Sequence, residues 1–407
     1  MCDLPSHANE AGVSSVSRRR LLGGAGAVAL GAGLAAAGGT ASAAAAPAAN
    51  ANANANGNGN GNGAKHRTRL VLLGTGGGPI VLSGHRNGIA TAVVYEDKVY
   101  VVDLGHGAPL QLYRSGLLGD PSDLGKVRGI FFTHMHSDHV AEWPALYATG
   151  PVNGRLRNPQ DRIHVFGPGD RPVPARVFPP TRPEPEPVNP GGPISGISEM
   201  TRCLRPAFAA DFEDRIRDSN MVDPDAMFAL HDIDISPYWT VDASGIPPRL
   251  PAGTRIPVWR DGDVTITATL VDHRPTAPAF AFRFDTPDGS VVVSGDTGPS
   301  ENLIDLAKDT DYLVHEVIDP RYVDQMVATL PEATQAPVRQ HLLESHTTIE
   351  QVGRDVAERA GARNLVLTHM VPMNNPVSRW RTAQKGYGGK LIVGEDLMEL
   401  GVGKRRR

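Results

Sequence analysis

The chain has 407 residues, 40% of them hydrophobic, enough for one large core or two modest ones. Forty Lys and Arg against 44 Asp and Glu give a formal net charge of -4, which offers no basic footprint for nucleic acid. Two cysteines, Cys2 and Cys203, exclude a disulfide framework and a thiolate zinc site.

The first element reads as an export signal. Ser17-Arg18-Arg19-Arg20-Leu21-Leu22 precedes a Gly/Ala stretch from Gly23 to Gly39, and Ala41-Ser42-Ala43 offers a small-residue cleavage site. Consecutive arginines before Leu-Leu resemble the bacterial twin-arginine type. Residues 1–43 are therefore expected to direct export, to the periplasm or beyond. The stretch is short and rich in Gly and Ala, so no stable membrane span is expected in the mature form. Residues 44–66 repeat Asn-Ala and then Asn-Gly; they carry too little apolar surface to fold and read as a flexible linker.

The globular part is expected over 67–403. Leu70-Val71-Leu72-Leu73 has a short buried-strand pattern and runs into Gly74-Thr75-Gly76-Gly77-Gly78. Those glycines lack the spacing of a dinucleotide site and the Lys-Ser/Thr of a P-loop, so a tight turn at a sheet edge is expected. Ala92-Val93-Val94-Tyr95 and Val99-Tyr100-Val101-Val102 flank Glu96-Asp97-Lys98 as a hairpin, and Asp103-Leu104-Gly105-His106 follows.

Gly129-Ile130-Phe131-Phe132 then delivers Thr133-His134-Met135-His136-Ser137-Asp138-His139. Side chains two apart on an extended backbone point the same way, so His134 and His136 can share one ion, and Asp138 with His139 can serve a neighbouring one. From about 150 to 260 proline is dense and apolar periodicity weak, apart from a helical piece around Ala207 to Arg217. This reads as an insertion that shapes the cleft, with His231, Tyr238 and Trp239 as candidate contacts.

Regular strands resume at Val264–Leu270, Phe280–Phe284, Val291–Ser294, Tyr312–Val314 and Leu365–Leu367. A helix is expected over Thr347–Ala360, with a Thr347…Glu350 capping box and Gly361 as its stop. Short apolar strands thus lead repeatedly to a candidate ligand: His134 and His136, His273, Asp296, His315 and His369. Function in open sheets gathers at strand ends.

As an ordered series these stretches resemble the metallo-β-lactamase superfamily, within it the group of ribonuclease Z and zinc-dependent alkyl- and arylsulfatase-like enzymes. The matching runs are Leu73–Gly76, Arg86-Asn87, Thr133–His139, Val271–His273, Ser294–Thr297, Val314–Glu316, Ser345–Thr348 and Leu367–His369. The resemblance implies a mixed α/β (α+β) fold, an αββα sandwich, with two zinc ions at one sheet edge; manganese or iron are the alternatives. Carried over by motif, His134, His136 and His273 hold the first ion, Asp138, His139 and His369 the second, and Asp296 bridges them. His346, Glu316 and Asp138 are the expected catalytic residues. A hydroxide between the ions would be the nucleophile, and His346, held by Glu316, the proton donor, with His315 orienting its neighbours.

An exported hydrolase of small anionic esters, phosphodiester or sulfate, is the expected function. The alternatives are a lactonase or carboxylic esterase, a ribonuclease Z-like nuclease, and a non-catalytic metal-binding protein. Against a nuclease stand the signal, the acidic balance, His106 where the resemblance leads one to expect an acid, and a tight turn between Phe284 and Val291 where the resemblance implies an RNA-gripping arm. Family relatives are often homodimers.

Overall fold

The computed structural model describes residues 66–79, 86–120, 123–153, 161–192 and 194–405. The expected signal, and all of the expected linker except His66, lie outside them. Fourteen strands occur among the described residues. In chain order they are β1 (His66–Gly74), β2 (Ala90–Tyr95), β3 (Lys98–Val102), β4 (Val127–Phe131), β5 (Ile163–Gly167), β6 (Phe228–Asp232) and β7 (Ile256–Asp261). They continue as β8 (Val264–Leu270), β9 (Phe280–Thr286), β10 (Gly289–Val293), β11 (Tyr312–Ile318), β12 (Asn364–Val371), β13 (Lys390–Val393) and β14 (Met398–Arg405).

They form two seven-stranded sheets, ordered β14-β1-β2-β3-β4-β5-β6 and β13-β12-β11-β10-β9-β8-β7. In each sheet a run of antiparallel hairpins passes into parallel strands: β3 through β6 in the first, β10 through β13 in the second. Parallel strands need covering on both faces, which fits the near-complete burial of β3, β11 and β12.

Alternation decides which face each side chain covers. Leu70 and Leu72 point between the sheets, where they meet Phe131, Phe280, Phe282 and Phe284. Val71 and Leu73 point outward under helices, beside Leu112, Trp143 and Tyr147. On the far side, Val292, Leu313 and Leu365 lie under Val352, Val356 and Trp380. Three apolar clusters in this order make the expected αββα sandwich. Phe131 joins three other rings, stacked on Phe166 at 5.2 Å and edge-on to Phe282 and Phe284. Burying such a side chain contributes about 1.5–3 kcal/mol.

Two expected boundaries shift. The 150–260 insertion contains β5, β6 and β7, which are sheet strands, so its irregular parts narrow to 168–196 and 233–255. Short strands separated by prolines and helices gave no continuous periodicity. The helices Ile197–Ala207 and Ala209–Asp218 stand near the expected helical piece. The helix after His346 starts one residue late: Thr348 and Gln351 form the capping box, because Thr347 Oγ1 already donates to the Thr297 carbonyl at 2.7 Å.

Register sets the level of the site. Val102 pairs with Phe131, so β3 and β4 end side by side and bring Asp103 against Thr133. In the second sheet Val293 pairs with Val314, which places Asp296 level with the middle of β11.

Candidate metal centre

The His-rich run is held extended by its neighbours. Asp103 accepts from Thr133 N at 2.8 Å and from Thr133 Oγ1 at 2.9 Å. The chain then turns into the short helix Ser137–Val140, which carries Asp138 and His139. His273 lies in the loop after β8, and Asp296 follows Gly295, whose φ of +61° turns the chain at the end of β10. His315, Glu316 and His369 differ from expectation in lying within strands. The β11–β12 ladder shifts register between Glu316 and Val317, and His369 has φ +41°. That local break gives the His369 ring a direction regular pleating would not.

The structure brings the seven predicted ligands together. Donor atoms of His134, His136 and His273 lie within 4.8 Å of one another, as do those of Asp138, His139, Asp296 and His369. His273, Asp296 and His346 form a third such group. Asp296 sits centrally: Oδ1 is 3.4 Å from His139 Nε2, and Oδ2 is 3.4 Å from His369 Nε2, 3.8 Å from His273 Nε2 and 4.0 Å from His134 Nε2.

The donors fit a cation. Within the cluster His134 Nε2, His139 Nε2 and Asp296 Oδ1 are buried without a hydrogen-bond partner. An unsatisfied buried polar atom costs about 1–3 kcal/mol, so three together favour an external partner. Ring tautomers agree. His273 Nδ1 donates to the Ser345 carbonyl at 2.8 Å, which leaves Nε2 as a lone pair. His139 Nδ1 faces Asp103 Oδ2 at 2.9 Å, the carboxylate–imidazole pairing that orients a metal ligand. His136 Nδ1 and His273 Nε2 stand 3.1 Å apart, close enough to share one proton or to face one cation.

Electrostatics point the same way. Burial pushes His134 and His273 well below the usual imidazole range, against a weaker pull from Asp296. Burial alone would raise Asp296, yet His369 and His139 hold it well below the carboxylate range. Burial disfavours charge on His139 and His369, but Asp296 and Asp138 raise both, joined at His139 by Asp103. Protonated imidazoles therefore supply, among three carboxylates, the positive charge that divalent ions would supply.

The Gly-rich turn forms the rim. Gly78 N donates to Asp138 Oδ2 at 3.0 Å, and a Cβ at Gly78 would lie 2.4 Å from Asp138 Cβ. Close approach to a ligand side chain, rather than phosphate binding, explains these glycines.

His346 ends the helix Glu332–Ser345 beside this cluster. Its Nδ1 is 3.0 Å from Glu316 Oε1, which also accepts from Thr297 N at 3.1 Å and Thr347 N at 3.2 Å. Burial opposes charge on His346, but Glu316 outweighs it and pushes the ring up to about 9. His315 makes no hydrogen bond to a donor residue; its Nδ1 donates to the Glu316 carbonyl at 2.7 Å. His231 stacks on Phe166 and His164, and Tyr238 and Trp239 pack on the inter-sheet core. None of the three lines the chambers beside the donor cluster. The correction has a simple cause, since these aromatics complete a core that the short strands leave open.

Two residues carry roles that the sequence reading did not assign. Asp103 orients His139; its place directly after the apolar run Val99–Val102 was the available signal. Asp396 accepts from Thr75 N at 3.0 Å and Asn87 N at 2.6 Å, tying the Gly-rich turn to the Arg86-Asn87 loop. Asp103→Asn is expected to weaken metal affinity about 10–100-fold, the usual cost of losing such an orienting partner. Competition against a chromogenic chelator measures it, and an unchanged affinity would leave Asp103 a strand-end brace only.

Comparison with known proteins fits this geometry. The Metallo-beta-lactamase superfamily pattern matches residues 84–339. Ribonuclease Z of Mycobacterium bovis is 29% identical over 340 residues, 83% of this chain and 99% of that protein. Ribonuclease Z of Mycobacterium avium is 30% identical over 336 residues, 82% of this chain and 98% of that protein. The crystal structure of human tRNase Z, short form, superposes with a TM-score of 0.50 at 18% identity, covering 82% of this chain and 99% of that one, and so shares the fold. A four-layer sandwich with His and Asp donors gathered at its sheet edges, together with full-length ribonuclease Z homologues, makes this chain a metal-dependent hydrolase of the metallo-β-lactamase superfamily.

Proposed function

We propose that the chain is a two-metal phosphodiesterase of the ribonuclease Z type, acting on nucleotide phosphodiesters. The observation that carries this reading is Asp296 standing between two donor sets, with the His346–Glu316 pair beside it. His134, His136 and His273 would hold one ion, Asp138, His139 and His369 the other, with Asp296 available to both; all-N/O donors favour zinc. When bound, the ions lower the pKa of a water and neutralise charge on the ester. The residues do the rest. Asp103 and the Ser345 carbonyl fix the ring faces of His139 and His273. Glu316 keeps His346 protonated to donate to the leaving oxygen.

The relatives change the order of the expected substrates. Ribonucleases cleave phosphodiesters, so that bond is favoured over sulfate esters and lactones, and nuclease activity moves ahead of small-ester hydrolysis. The net charge of -4 supports short or small substrates rather than large folded RNA. An export signal at 1–43 would place this activity outside the cytoplasm. The test is a panel on the zinc-loaded protein: bis(4-nitrophenyl) phosphate, a 3′-extended hairpin RNA, 4-nitrophenyl sulfate and a lactone. Phosphodiesters are expected to give the highest kcat/KM. Faster turnover of sulfate or lactone would sink the proposal.

A further inference from the structure

Two chambers open beside the donor cluster and share a wall. The inner one, about 200 Å³, touches His136 and Thr276. The outer one, about 390 Å³, lies between the Pro-rich segment and the helix Glu332–Ser345. Ala175 and Pro275 line both, so the outer chamber borders the one that touches a candidate ligand. Arg171 fixes the dividing wall: it is buried, and it donates to the Pro275 carbonyl at 2.6 Å and the Asp242 carbonyl at 2.9 Å.

The outer chamber mixes an aromatic face with unpaired positive charge. Phe178 is its half-buried ring. Arg176 and Arg182 line it and make no ion pair among the described residues; Arg182 Nη1 donates to the Phe178 carbonyl at 3.2 Å. Arg274 is neutralised by Asp272. One carboxylate, Glu344, also lines the chamber and accepts from Gln340 Nε2 at 2.9 Å. Two free guanidiniums against one carboxylate leave the chamber net positive. Its volume is that of a site for a drug-sized or nucleotide-sized group.

We infer that the outer chamber is a substrate subsite that takes the nucleotide next to the scissile phosphate, with its base on Phe178 and its far phosphate on Arg176 and Arg182. This rests on the phosphodiesterase reading. A planar base suits an aromatic face whatever its sequence, and guanidinium forks suit phosphate oxygens. The insertion thus sets substrate class: the donor cluster takes one phosphate, and the chamber requires an aromatic group with a second anion beyond it.

The probe is uridine 3′,5′-bisphosphate, which is no diester and survives in the zinc-loaded protein. Calorimetry is expected to show it binding about tenfold tighter than either uridine monophosphate, the gain typical of a charge-assisted contact. In Arg176→Ala/Arg182→Ala that advantage disappears, and Phe178→Ala weakens the bisphosphate by about tenfold through lost stacking. Melting temperatures of both variants check that the fold stands. An equal affinity for bisphosphate and monophosphates in the wild type, or an advantage that survives the double variant, overturns the subsite. Turnover of bis(4-nitrophenyl) phosphate is read separately: its absence defeats the phosphodiesterase reading, while calorimetry still decides whether the chamber binds a nucleotide.

Discussion

Asp296→Ala is expected to lower kcat/KM by about 1000-fold or more and to reduce bound metal from two per chain to one or fewer. The carboxylate lies within 4.0 Å of nitrogens on His134, His139, His273 and His369, and so meets both donor sets. Several kcal/mol of transition-state stabilisation goes with the ions, which at 1.36 kcal/mol per decade gives the stated loss. The change also removes the largest carboxylate influence that raises His139 and His369. Asp296→Asn preserves the shape and removes the charge, and should fail almost as badly. Plasma mass spectrometry counts the metals and steady-state kinetics gives the rate. A variant that keeps two ions and most of its activity would refute the bridging role.

His346→Ala is expected to slow poor leaving groups about 10²–10⁴-fold and good ones only slightly. A general acid matters when the departing oxygen is basic, as in a nucleoside hydroxyl; a nitrophenolate leaves without a proton. The geometry supports this division, because His346 Nδ1 is engaged by Glu316 Oε1 at 3.0 Å and its other nitrogen is left for substrate. Glu316→Gln should follow the same pattern more weakly, since an amide oxygen can still accept from Thr297 N and Thr347 N but cannot charge the imidazole. The measurement is kcat/KM across phosphodiesters graded by leaving-group pKa. A uniform slowdown along the series would show that His346 supports the metal centre and does not donate a proton.

Much of the site was legible because its ligands lie where short patterns end. His134 and His136 follow one apolar run at a spacing of two, and Asp138 and His139 follow within one helical turn. Asp296 follows the strand of Val291–Val293. His315 and Glu316 were less readable as to place, since β11 continues through them to Ile318. Their strand does not end at the site; it passes underneath it. The insertion was legible in composition and misleading in extent. Its strands are five or six residues long, and Ile163–Gly167 and Phe228–Asp232 become recognisable only when paired with each other.

The sequence by itself supplied the ordered series of short motifs whose resemblance to a known family implied the sandwich and the candidate donors. The local facts it carries are two-residue alternation in strands, glycine where backbone must pass close to a side chain, and imidazoles and carboxylates spaced along one loop. Only the tertiary structure decided which donors face one another and what orients them. The Asp103–His139 contact spans 36 residues and the His369–Asp138 contact 231, and separations of that kind are fixed by strand order and register, which no local pattern encodes. The outer chamber belongs to the same class, because its two walls, around Phe178 and His341, meet only after both sheets have formed.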